Sequence, residues 1–164
     1  MACIMLNLRA YLTQPLAGQP VPQAARFNAD RVYRALVTKD WPSPPYEPPG
    51  GTMYIPGKAE VYYPQGTDWS RYRFDIFYQV DMFADILGLD RGLPHRAAEW
   101  LPIRSQRLLE MQARHPDGHL FAKGEFTTYP GCESEVAWGF ADTLLLTWLH
   151  DRGALHPEAN WNRP

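Results

Sequence analysis

The placement of proline constrains this chain more than any other feature. Ten of its sixteen prolines fall in residues 1–66. Proline fixes φ, removes a backbone donor and pushes the preceding residue out of the helical region. Long regular helices are therefore not expected in the first two-fifths of the chain, which reads as mostly irregular. Its densest stretch, Trp41-Pro-Ser-Pro-Pro-Tyr-Glu-Pro-Pro-Gly-Gly51, predicts an extended arm or a loop wrapped over a core. One short helix fits before it, with Asn28 as N-cap, Phe27 and Val32 as a hydrophobic staple, and a stop before Trp41-Pro42. Met53 to Tyr63 holds two short runs of β-favouring residues, consistent with an edge strand or hairpin.

Beyond residue 66 the pattern becomes helical. Thr67 or Asp68 can cap a helix running to Leu87, with Gly88 just past its end. Trp69, Tyr72, Ile76, Val80, Phe83 and Leu87 recur at three- and four-residue steps and form one buried stripe. A second helix is expected over Pro94–Arg114, with Ala97, Leu101, Leu108 and Met111 inward and Pro102 kinking or dividing it. A turn follows at His115-Pro-Asp-Gly118. The last helix should run from near Cys132 to Asp151-Arg152, before Gly153, burying Ala137, Phe140, Ala141, Leu144, Leu145 and Trp148. The expected fold is mainly α, a small bundle of three long helices plus a short N-terminal helix and a Pro-rich arm.

At 164 residues a single domain is expected: a Pro-rich region over 1–66, a helical core over 67–153 and a tail over 154–164. With 45% hydrophobic and 21% charged residues the composition is that of a globular protein. Cys3 and Cys132 make no disulfide framework and no Cys-x-x-Cys pair. No secretory signal or membrane-length apolar run is visible, so cytoplasmic residence is expected. Residues 115–164 carry seven acidic groups against Lys123, Arg152 and Arg163. There is no basic stripe for a nucleic acid, whereas an acidic third suits a basic protein partner.

The most informative feature is a conflict within the helix expected over 67–87. Phe74, Tyr78 and Met82 form a second apolar stripe on the side away from the first, edged by Asp81 and Asp85. A surface helix shows one apolar face. Either the arm or another helix covers the second stripe, or it is an exposed aromatic patch with acidic neighbours, fit to grip a partner. On the second reading Phe74, Tyr78, Asp81, Met82, Asp85, Glu125, Glu133 and Glu135 are the candidate partner-binding residues. The same carboxylates, with Glu110, would suit a divalent metal, yet no Glu-x-x-His motif accompanies them, and Glu133 and Glu135 also complement a helix dipole. His115 and His119 are half of a zinc pattern broken by Pro116 and Gly118. Cys132 at a helix start could favour a thiolate. Phosphate loops, nucleophile elbows and dinucleotide fingerprints are absent. The residues thus offer no catalytic set, cofactor or metal site.

The stretches Thr67-Asp-Trp69, Leu87-Gly-Leu-Asp90, Glu110-Met-Gln-Ala-Arg-His-Pro-Asp-Gly118, Gly124-Glu125 and Tyr129-Pro-Gly131 together resemble uncharacterised small bacterial proteins, over about half of the chain. Some proteins of that kind are immunity proteins, which protect a bacterium from its own secreted toxin. The resemblance implies a non-catalytic protein that binds and neutralises a toxin domain, and it carries over no functional residue. From a different class, the carboxylates suggest a helical metal-dependent hydrolase. A structural component of a bacterial or phage assembly, with the Pro-rich arm reaching a neighbour, is the third expectation.

Overall fold

The computed structural model describes residues 7–40, 52–61, 73–122 and 132–157 and is mainly helical. In chain order the helices are α1 (Ala10–Leu16), α2 (Gln23–Arg26), α3 (Ala29–Thr38), α4 (Phe74–Leu87), α5 (Ala97–Gln112) and α6 (Cys132–Asp151). The Pro-rich stretch 41–51, the expected start of the central helix at 67–72, and the tail from residue 158 lie outside the described residues. No described helix is long and apolar enough to cross a membrane.

α4 is the centre of the bundle. It packs against α5 on one side and α6 on another, while α1 packs on α6. Ten of its fourteen residues are buried, and only Asp85 is exposed. Its two apolar stripes are both used. Phe77, Val80, Phe83 and Leu87 join a core with Tyr11, Leu12, Tyr33, Tyr54, Trp100 and Leu149. Phe74, with Tyr78 packed beside it, joins a second cluster of Leu108, Met111, Leu120, Phe121 and Val136. A helix apolar on two sides is one that lies between layers.

The helix ends follow local chemistry. Arg73, at φ −78° and ψ 60°, is not helical, and α4 as described begins at Phe74. It stops at Gly88, whose φ of +75° is the left-handed C′ conformation glycine adopts without a Cβ penalty. Asp90, fully buried, accepts the Ala97 N–H (2.8 Å) and Arg96 Nη2 (2.9 Å), while Glu99 accepts the Arg96 N–H (2.8 Å). These bonds satisfy donors left open at the start of α5. α5 then runs through Pro102 undivided, and α6 ends before Gly153 as expected.

Three expectations are corrected. Residues 7–40 are mostly helical and not irregular. Leu8, Tyr11 and Leu12 are spaced for one helix face and are buried in the main core, with Pro15 confined to the last turn of α1. At α3 the boundary is right but the mechanism differs. Asn28 is left-handed and makes no side-chain cap, and Phe27 is 71% exposed, so no staple forms. The Met53–Tyr63 segment, described to Val61, is a tight reversal, not a ladder. A single antiparallel bridge joins Tyr54 and Val61 around a Pro56-Gly57 turn closed by Lys58 N–H to Ile55 C=O (3.1 Å).

Two glycines give a contrast that can be measured. A Cβ at Gly88 would force a left-handed residue and meet the Arg91 side chain at 2.8 Å, whereas one at Gly139, inside α6, meets only Gln79 at 3.8 Å. Urea denaturation should show Gly88→Ala destabilising by about 1 kcal/mol. Gly139→Ala should stabilise by roughly 0.5–1 kcal/mol.

Candidate functional site

The candidate residues named from sequence do not form one surface. Asp81 is at the bottom of the core, where it forms an ion pair with Arg104 of α5 and accepts the Tyr33 hydroxyl at 2.9 Å. Both charged side chains are 0% exposed. Arg104 Nε also donates to the Ala59 carbonyl (3.1 Å), and its guanidinium lies 4.1 Å from the centre of the Tyr54 ring. Tyr33, Phe77 and Trp100 surround Tyr54 edge-on at 5.1–6.0 Å. Tyr54 N–H donates to Leu36 C=O (2.9 Å), and Trp100 Nε1 to Ile55 C=O (3.1 Å). This buried node joins α3, the 52–61 segment, α4 and α5.

Phe74 is buried, and Tyr78 and Met82 are partly buried against the two clusters. The stripe they form is therefore packed within the bundle and is not an open patch. Asp85 is exposed, so Asp81 and Asp85 do not pair across a helix turn. Glu133 accepts the backbone N–H groups of Leu120 (3.2 Å) and Phe121 (2.9 Å), tying the 120–121 segment to the start of α6. Glu135 meets Arg73 (3.3 Å), which also holds Asp75 through two bonds of 3.0 and 2.9 Å. Glu125 and the Cys132 side chain lie outside the described residues. His119 lies beside Asp117 (3.0 Å). Among the described residues no three His, Cys, Asp or Glu side chains come together as metal donors. Of the carboxylates that suggested a hydrolase, those among the described residues do not converge.

Among the described residues, large exposed apolar side chains gather on α6, while Leu16, Phe27, Val32 and Leu109 stand exposed elsewhere. Trp138, Leu144 and Trp148 are 57%, 73% and 46% exposed, with Ala137 and Ala141 exposed between them and Leu145 partly so. At about 100° per residue these six positions share one side of the helix. The helix was expected to bury much of this set. It buries Val136, Leu146 and Leu149 instead. The reason is that α6 is apolar all round, and polar contacts set its rotation. Gln79 Nε2 donates to Gly139 C=O (2.8 Å), and Arg9 pairs with Asp142. Two guanidiniums stack on this surface, Arg9 3.7 Å from the centre of the Trp138 ring and Arg152 4.4 Å from that of Trp148. Two Trp and a Leu thus lie exposed on one side of the helix.

The chain matches no protein-family model, no curated protein and no solved structure.

Electrostatics at the buried node are measurable. Burial pushes the Asp81 carboxyl up from 3.8 to about 6, against the opposing pull of Arg104 and the two tyrosines. A raised pKa means that the folded state holds the proton more tightly than the unfolded chain. Asp81's contribution to stability is therefore complete below its ordinary 3.8 and is lost as pH rises through about 6. Carboxyl NMR should place its midpoint near 6, and a value below 3.8 would overturn this account. Separately, Arg104→Met leaves a buried carboxylate without its cation and should cost about 3–5 kcal/mol in urea denaturation. Adding Asp81→Leu to that variant should recover most of the loss, because neither charge is then stranded.

Proposed function

We propose that this protein works by binding another protein through the outer face of α6, most concretely as a bacterial immunity protein that neutralises a cognate secreted toxin. The observation that carries the reading is the open face itself, with Trp138, Leu144 and Trp148 on one side of a rigid helix. Tryptophan offers a large area with little entropy lost on binding and dominates interface hot spots. Small residues between the bulky ones, Ala137 and Ala141, leave room for a partner's side chains.

Charge narrows the class of partner. α6 carries Glu133, Glu135, Asp142 and Asp151 and neither Lys nor Arg, and Asp151 stands free of the bundle at one end of the face. Arg9 and Arg152 lie over the Trp rings of the face itself, so the complement is an apolar centre with an acceptor for each guanidinium, within a surface that is basic farther out. A basic nuclease-like toxin domain has that character, and acidic groups steer such a partner during encounter. The interface lies on α6, not on the Phe74–Asp85 stripe, because that stripe holds the bundle together.

The test uses tagged full-length protein to capture its partner from the native host, with mass spectrometry to identify it and a direct titration to measure affinity. Leu144→Asp and Trp148→Ala should each weaken capture by about tenfold or more. Both side chains are well exposed, so circular dichroism should stay unchanged. A captured toxin domain whose activity falls on binding supports the proposal. A partner held equally well by both variants would show that the face is wrong, and a partner with no toxin activity would remove the immunity setting.

A further inference from the structure

We infer that the outer side of α3 is a second interaction surface, opposite in charge to α6, and that it takes an acidic helical segment of another protein. α3 buries Ala29, Tyr33, Leu36 and Val37 against the bundle. At about 100° per residue, Arg31, Arg34 and Thr38 then run along the middle of the opposite side, flanked by Val32 and Lys39. All five are exposed. Asp30, the one acidic residue of α3, is half-buried at the edge of the inward stripe. Among the described residues neither Arg31 nor Arg34 meets a carboxylate, whereas Arg9, Arg96 and Arg107 are each held by one, from Asp142, Asp90 and Glu110. Apolar surface adjoins these charges. Val32 is 38% exposed and Phe27, just before the helix, is 71% exposed. Asn28, left-handed at φ 58°, stands between Phe27 and the first turn, and the phenyl ring stays outside the core.

Magnitudes select the occupant. From Arg31 to Lys39 the helix rises only about 12 Å. Proteins that bind duplex DNA neutralise roughly six to ten phosphates, more than the three cations of this side can meet. An anionic membrane adds about 1 kcal/mol per basic residue, and stable anchoring takes a second strong signal, which one phenyl ring and a valine do not supply. A pair of carboxylates fits the spacing. Arginine's planar fork takes a carboxylate through two parallel N–H···O bonds. Arg31 and Arg34 stand three positions apart on the helix, where Cβ atoms are roughly 5–6 Å apart. Two carboxylates one turn apart on a partner helix have the same separation, and an apolar residue beside them can cover Phe27. The surface is also held in place. The Tyr33 hydroxyl donates to Asp81 (2.9 Å), and Leu36 C=O accepts the Tyr54 N–H (2.9 Å), so α3 has little backbone freedom to lose on binding.

The test uses a fluorescein-labelled helical peptide with two Glu one turn apart and Leu beside them, titrated with the full chain at low salt and read by fluorescence anisotropy. Binding is expected, and it should weaken as salt is raised. A peptide of the same composition with its two Glu on opposite sides of the helix should bind at least about threefold less tightly. Arg31→Glu/Arg34→Glu should weaken binding by about tenfold or more, and Phe27→Ser by roughly three- to tenfold. Arg31→Lys/Arg34→Lys keeps the charge and loses the fork, so its affinity should fall between wild type and the charge reversal. All three positions are exposed, so circular dichroism should stay unchanged. Leu144→Asp on α6 should bind the peptide as wild type does. Absence of binding, or binding indifferent to the charge reversal, overturns the inference. Loss of the peptide in Leu144→Asp would place it on α6 and overturn it as well. A stronger hold on phosphatidylserine vesicles or on duplex DNA than on the peptide would assign the surface to a membrane or a nucleic acid instead.

Discussion

The ion pair between Asp81 and Arg104 is the constraint on which the rest of this bundle depends. Removing two charges from water is costly, and their attraction offsets that only when geometry and additional hydrogen bonds are good. Here the Tyr33 hydroxyl and the Ala59 carbonyl supply the additional bonds. The Tyr54 ring lies under the guanidinium. Because these groups come from α3, the 52–61 segment, α4 and α5, the pair fixes how four parts of the chain meet.

The buried node and the Arg73–Asp75–Glu135 cluster hold carboxylates that would otherwise suggest a metal or an acidic docking patch. They are structural groups that orient helices. The outer side of α6 stays exposed at Trp138, Leu144 and Trp148. α6 is held in its rotation by Gln79 and Arg9 from below, so the apolar residues facing outward are presented on a fixed scaffold, as a docking face needs.

The candidate site was only partly legible. Periodicity marked α4 correctly as a helix apolar on two sides, but one sequence cannot say whether the second side meets solvent or another helix. Asp81 shows the difficulty: an acidic residue beside an aromatic stripe reads as a rim group until its cation is found 23 positions away on α5. One signal was available. Ala97, Trp100, Arg104, Leu108 and Met111 are all buried on one stripe of α5, and an arginine within a buried stripe asks for an acidic partner. In α6 the failure has a different cause. With apolar residues on every side, its pattern names no inward face.

The sequence by itself determined the existence of α3, α4, α5 and α6 and the class of the fold. Those features depend on interactions between near neighbours: apolar spacing and the Gly88 and Gly153 stops. It did not reveal α1, because Pro15 masked the short Leu8–Tyr11–Leu12 pattern. Only the tertiary structure decided which side of α6 is buried, that Asp81 is a core residue, and that Phe27 stands exposed. Each of those is settled by a contact between residues far apart in the chain, and local periodicity carries no information about which distant groups will meet.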